Sequence, residues 1–240
     1  MRSIFPYKEP IVVGDLKLSA EEIILGLDNR LTNERKQRID FVVGNRTYAI
    51  TPVLDGLYDV GNMNAVLRTA EALGFQSVHI IETSSKYKQA NRVTQGAEKW
   101  LDIMRWKTPI ECISWLKDKG YKICVTSFND AKPIDEVDFV TPTAIVLGNE
   151  HEGVSKEMIA NADERVVIPM YGFTRSFNIS VAGGMILYHA VKYRIKHLGM
   201  SGDLSFQEKK ILKAVFYLRS VEHAEQILRR EILKGNEYRV

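Results

Sequence analysis

Cysteine is scarce in this chain: two among 240 residues, Cys112 and Cys124, with no metal-ligand spacing between them. That is too few for a disulfide framework. The pair suits a reducing cytosol and reads most simply as two buried core residues. Long apolar runs are also missing. Nothing approaches the roughly 18 residues of a membrane span, and the opening "MRSIFPYKEP" has no apolar core of an export signal. The expectation is a cytoplasmic protein. No G-x-G-x-x-G follows a strand-like run and no G-x-x-x-x-G-K-[ST] occurs, so a dinucleotide or P-loop enzyme would lack its phosphate cradle. His79, His151, His189, His197 and His223 form no ligand cluster, and one His151 between Glu150 and Glu152 is a weak metal signal, so no metal is expected. There is no internal repeat and no low-complexity tract.

What is present is the mix of a globular protein with a core: 45% hydrophobic and 26% charged residues. The net charge of +3 is unevenly placed. Residues 192–240 hold eleven Lys/Arg against six Asp/Glu, whereas residues 46–191 hold fifteen against seventeen. A second basic cluster, "RLTNERKQR", runs from Arg30 to Arg38. Basic appendages around a near-neutral domain suggest a polyanionic partner; ordinary solvated helix faces would look the same on charge alone.

Ser19 with Glu22 three positions on is a capping box, and Ile23, Ile24, Leu27 and Leu31 follow at helical spacing. Thr32 can cap a second short helix reaching Phe41, so residues 1–45 read as a helical arm. From Thr47 the pattern changes. Apolar β-rich runs ("YAITPVL", "SVHIIE", "KICVTSF", "TAIVLG", "RVVIPM") alternate with amphipathic stretches ("NMNAVLRTAEALG", "TPIECISWLKDKG", "SKEMIANA"). This alternation predicts an α/β domain over residues 46–199 with a mostly parallel sheet. Gly74 and Gly120 stand where helix C-caps belong. Residues 200–240 read as a helical extension, with Ser205 and Glu208 as another capping box.

Ligands of such sheets bind beyond the carboxyl ends of the strands. Three strand ends here are chemically unusual. After the first comes "GNMNAVLRTAEALG", where Asn62 and Asn64 precede a helix carrying Arg68. "GNEHEGVS" follows "TAIVL" and holds Glu150. "YGFTRSFNISVAGGMILY" follows "VVIPM", with Ser176 and Asn178 ahead of the Gly183–Gly184 pair. Each has a bland reading: helix caps for the asparagines, a solvated ion pair for Arg68 with Glu71, a plain turn for "GNEHEG", a tight helix contact for the two glycines. Their joint occurrence at strand ends points to one site.

These three segments resemble, in order and spacing, the signature motifs of the SpoU/TrmH family of RNA 2′-O-ribose methyltransferases in the SPOUT superfamily. "NMNAVLRTAEALGF" resembles the first motif, "AIVLGNEHEGVS" the second and "IPMYGFTRSFNISVAGGMILY" the third. "NRVTQGAEKWLDI" resembles a segment of the tRNA-specific branch. The similarity spans about residues 30–200. It departs from the usual pattern at Asp59-Val60-Gly61 before Asn62, at Arg175, and at Phe177 where Leu is common.

The resemblance implies a deep trefoil knot in the C-terminal part of the domain and a homodimer. It implies S-adenosylmethionine as methyl donor, held by Thr126, Leu147, Gly148, Ile168, Met170 and Phe177 with no metal. Asn62, Arg68, Glu150, Ser176 and Asn178 match the family's catalytic positions. Arg68 is the residue proposed to deprotonate the ribose hydroxyl; a guanidinium, a donor with no acceptor, is better suited to orienting it, which leaves Glu150 as the alternative acceptor. The short basic arms, with Arg30, Arg35 and Arg38 toward RNA, resemble the branch that methylates a D-loop guanosine of tRNA. Ribosomal RNA is the alternative substrate, and a catalytically silent RNA-binding homologue the remote one.

Overall fold

The computed structural model describes residues 4–82 and 96–237, with side chains through residue 231. The chain divides into two compact units, Thr47–Asp203 and a second made of Phe5–Arg46 with Leu204–Val240. The two terminal segments, read above as separate arms, therefore belong to one body.

In the first unit, seven strands form one sheet with every neighbouring pair parallel: β3 (Ile50–Asp55), β4 (Ser77–Ile81), β5 (Asp102–Trp106), β6 (Lys122–Thr126), β7 (Lys132–Pro133), β8 (Thr143–Gly148) and β9 (Glu164–Val167). Their order is β5-β4-β3-β8-β6-β9-β7. All five strand-like runs of the sequence become strands. Two more, β5 and β7, carry no such run. β5 is an edge strand, and none of its five residues is fully buried.

The central strands are buried on both faces, which is why they read as unbroken apolar runs. All six residues of β3 and all six of β8 are buried. Their side chains alternate between two cores. Ile50, Leu54, Ile145 and Leu147 join the cluster that includes Val66 and Ile186, from α3 (Val60–Ala72) and α6 (Ile179–Leu198). Val53, Ala144 and Val146 face the cluster of Cys112, Leu116 and Met158, from α4 (Pro109–Asp118) and α5 (Lys156–Ala160). Burial pushes the Cys112 and Cys124 thiols up to about 12, so neither is a nucleophile at neutral pH. Gly74 and Gly120 close α3 and α4 at φ of 87° and 79°, as their C-cap positions require.

The second unit holds α1 (Ala20–Leu27), α2 (Asn33–Gly44), α7 (Phe206–Ser220) and α8 (Ala224–Glu237). Ser19 and Ser205 both make full capping boxes, and Thr32 accepts from the Arg35 amide. The N-terminal segment is not wholly helical. Residues "IVVGDLKL" form an antiparallel hairpin, β1 (Ile11–Val13) with β2 (Leu16–Leu18), around Gly14 at φ 62°. A Gly-Asp pair between two alternating runs is a two-residue turn signal, and it outweighs the helical reading of this stretch.

Candidate active site

A cleft of about 640 Å³ opens at the carboxyl ends of β6, β8 and β9. Thr126 and Ser127 to Asn129 contribute from the end of β6, Gly148 to Val154 from the loop after β8, and Ile168, Met170 and Arg175 to Asn178 from the segment after β9. Ile179, Ala182 and Ile186 of α6 form its apolar floor. Five of the six expected cofactor contacts line this cleft: Thr126, Gly148, Ile168, Met170 and Phe177. Leu147 does not. It is fully buried one residue earlier, and a Cβ built on Gly183 would lie 3.0 Å from its Cδ1. The motifs do not single out Phe128 or Asn129, although the rule of ligands at strand ends covers both.

The loop after β8 closes on itself. Asn149 and Gly153 exchange backbone hydrogen bonds at 3.0 and 3.1 Å. The Asn149 side-chain oxygen accepts from the amides of His151 (2.9 Å) and Glu152 (2.6 Å). Glu150 thus projects from a two-ended clamp. Gly148 is required for that clamp: a Cβ there would meet the backbone of Gly153 and Val154 at 2.2 Å. The close approach that excludes a side chain is the loop's own main chain.

Three of the five candidate catalytic residues form a hydrogen-bonded chain drawn from all three unusual strand ends. The Asn62 amide donates to Glu150 Oε1 at 2.7 Å, and the Asn178 amide donates to Asn62 Oδ1 at 3.1 Å. Asn178 also caps α6, its Oδ1 accepting from Ser180 N at 2.9 Å and from Ser180 Oγ at 2.6 Å. The sequence pattern sets Asn62 and Asn64 ahead of their helix. Both instead lie inside α3, because Asp59 is the cap and its side chain accepts from the Asn62 backbone N–H at 2.8 Å. Ser176 lines the cleft beside Phe177.

Arg68 is elsewhere. Six residues beyond Asn62 at about 100° each, it lies roughly 120° round the helix from it. It lines a separate, shallower depression with Gly61, Asn64, Thr69, Gly184 and Tyr188. Asn64 is buried there, and its Nδ2 has no partner among the described residues. The two glycines divide in the same way. A Cβ on Gly183 would press on Leu147 and Val66, whereas Gly184 has open space within 4 Å. Arg30, Arg35 and Arg38 are exposed in the second unit, with the Arg38 guanidinium 5.4 Å from the Phe41 ring centroid. The segment "NRVTQGAEKWLDI" lies partly outside the described residues, at residues 91–95. Among the described residues, no cluster of three or more His, Cys, Asp and Glu could hold a metal ion, and no helix is long and apolar enough to cross a membrane.

A parallel α/β sheet with a cleft at its strand ends, edged by a Glu-bearing clamp and two asparagines, has the form of a ligand-binding site of an α/β protein. The profile of the SpoU rRNA Methylase family matches residues 49–188, and the chain belongs to that family. A Borreliella burgdorferi tRNA (guanosine(18)-2′-O)-methyltransferase is 35% identical over 202 residues, 84% of this chain and 92% of that one. A protein of the same name from Aquifex aeolicus is 34% identical over 182 residues, covering 75% of this chain and 86% of its own. Among solved structures, the A. aeolicus TrmH/SpoU tRNA modifying enzyme superposes with a TM-score of 0.70 at 33% identity, over 82% of this chain and 99% of that one. An S-adenosylmethionine-bound rRNA methyltransferase from Sinorhizobium meliloti gives 0.56 at 25% identity, over 62% and 56%.

Proposed function

We propose that this protein transfers the methyl group of S-adenosylmethionine to the ribose 2′-hydroxyl of a guanosine in the D-loop of tRNA. The observation that carries the reading is the Asn178–Asn62–Glu150 chain at the edge of the cleft. The cleft volume lies within the roughly 300–1,000 Å³ range of small-molecule sites. Its lining suits the donor, with apolar Ile168, Met170 and Phe177 for a purine and backbone at Gly148 and Asn149 for polar edges. When bound, S-adenosylmethionine supplies an electrophilic methyl group on a sulfonium.

The chain's own residues hold and deprotonate the acceptor. With Glu150 Oε1 fixed by Asn62, Oε2 has no partner among the described residues and can accept the hydroxyl proton. Asn178 fixes the Asn62 amide in turn, so the carboxylate is oriented before substrate arrives. Ser176 supplies a further hydroxyl at the cleft wall.

The reading includes a second copy of this chain. Val181, Met185, Tyr188 and Ile195 leave an exposed apolar stripe along α6 at helical spacing. The depression with Arg68 and the unpartnered Asn64 donor borders that stripe at Tyr188. A homodimer formed there would bring Arg68 of one copy to the cleft of the other, where its fork orients ribose and phosphate. It also includes the trefoil knot, supported by strand order: β8 enters between β3 and β6, and β9 between β6 and β7, all strands that precede them in the chain. A cytoplasmic location and no metal requirement complete it.

The test is incubation with methyl-labelled S-adenosylmethionine, excess chelator, and separated tRNA and rRNA, followed by nucleotide mapping. Label on the 2′-oxygen of a D-loop guanosine is expected. Label in rRNA alone reassigns the substrate, and label in neither RNA contradicts the reading.

A further inference from the structure

The loop that carries Glu150 is anchored at its far end by a side chain outside the cleft. Asp55 is the last residue of β3, paired in register with Gly148, the last residue of β8. It is 4% exposed. Its Oδ2 accepts from the Ser155 amide at 2.7 Å. Ser155 is where the clamp ends and α5 begins, and its own Oγ accepts from the Met158 amide at 3.4 Å. The loop therefore has two fixed ends: Gly148 held in the sheet beside Asp55, and Ser155 held on the Asp55 carboxylate. The same strand end leads, within seven residues, to Asn62. The loop bearing Glu150, which accepts the 2.7 Å hydrogen bond from Asn62, is thus tied back to a buried carboxylate.

Burial raises the Asp55 carboxyl above its usual range, the Ser155 hydrogen bonds oppose that rise, and nearby Glu157 adds to it. A carboxyl oxygen accepts from an N–H in either protonation state, so the 2.7 Å hydrogen bond holds the Ser155 amide on Asp55 whichever form is present.

We propose that Asp55 is a positioning residue for the methyl transfer, latching the Glu150 loop at Ser155 and so setting the Asn62–Glu150 geometry. This rests on the methyltransferase reading of the cleft. Asp55 touches neither acceptor nor donor; it acts through Ser155, five residues beyond Glu150. A displacement of about 1 Å in such a group is enough to cost of the order of a hundredfold in rate.

The test is a double-mutant cycle of Asp55→Ala with Glu150→Gln, with Asp55→Asn beside it. At saturating RNA and S-adenosylmethionine, Asp55→Ala is expected to lower kcat at least about tenfold, with the KM for RNA changed less than about twofold. In the Glu150→Gln background the same change should cost less than about threefold, because the group it positions is already lost. Asp55→Asn keeps one acceptor for the Ser155 amide, so it should recover part of the rate and melt no lower than the unaltered protein. Equal losses in both backgrounds, or a loss that follows a fall in melting temperature across the variants, would overturn the proposal.

Amide hydrogen exchange provides a readout independent of activity. In Asp55→Ala, exchange at Gly153 to Ser155 should accelerate while β3 and β8 stay protected. If the unaltered protein methylates no RNA, the catalytic reading fails and the positioning role fails with it, yet this exchange pattern still reports whether the latch exists. Unchanged exchange at Ser155 would remove the latch itself.

Discussion

The cleft and the depression around Arg68 share helix α6 and differ in what else builds them: strand-end loops line the cleft, whereas α3 lines the depression. On one side of the α3–α6 pair, Asn62 and Asn178 close a hydrogen-bonded chain with Glu150. On the other, Arg68, Asn64, Gly184 and Tyr188 surround a shallow, open surface with a buried amide donor lacking a partner among the described residues. One place holds a connected chain of side-chain hydrogen bonds; the other holds a buried donor with no partner among the described residues. Motif residues close in the sequence have been dealt to different faces by the helical repeat. On the proposed reading, the two faces belong to one working site only when two copies meet.

Removing Arg68 should separate the two places most sharply. Arg68→Ala is expected to lower single-turnover methylation at saturating RNA by about a hundredfold or more while S-adenosylmethionine affinity stays within about twofold. Arg68→Lys should recover little, because a point charge does not reproduce a planar fork. A lysine variant at near-normal rate would leave Arg68 as a phosphate anchor that does not orient the ribose. Gly148→Val should act on the cleft instead. With the backbone of Gly153 and Val154 2.2 Å from the new Cβ, the clamp cannot close, and S-adenosylmethionine affinity by calorimetry should fall at least about tenfold. Retained affinity would show that the donor does not need the closed clamp.

The smallest expected effect lies in the second unit. Arg35 and Arg38 are three residues apart on α2, so both can meet one backbone. Arg35→Ala with Arg38→Ala should lower the log–log salt dependence of RNA binding by roughly 0.7–0.9 for each phosphate the protein no longer neutralises, and leave cofactor binding unchanged. An unchanged slope would assign these residues to a solvated helix face.

Much of this is legible in the chain. Strands buried on both faces announce themselves as apolar runs, and capping boxes at Ser19 and Ser205 mark helix starts by chemistry local to four residues. β5 escapes because "DIMRW" is half-exposed at the sheet edge and has neither a strict alternation nor an apolar run. The hairpin at Gly14 escapes because the capping box just after it draws the whole segment toward helix. Within the site, Asn62, Glu150 and Asn178 can be named because each follows a strand. Arg68 can be named as well, but its distance from them cannot, since that depends on the angle swept along α3. Asp55 directly follows an apolar run, where its carboxylate looks like the end of a strand and its partner lies 100 residues away.

Whether Arg68 works in the cleft of another copy can be tested directly by mixing two inactive variants. Arg68→Ala and Asn178→Ala proteins, each nearly inactive alone, can be mixed, allowed to exchange subunits, and assayed for methylation. With random pairing, half the dimers carry one of each variant, and each of those has one intact composite site. The mixture should therefore recover about one quarter of the unaltered turnover. A mixture no more active than its two components would place Arg68 with the residues of its own chain, and the two-copy site would be wrong.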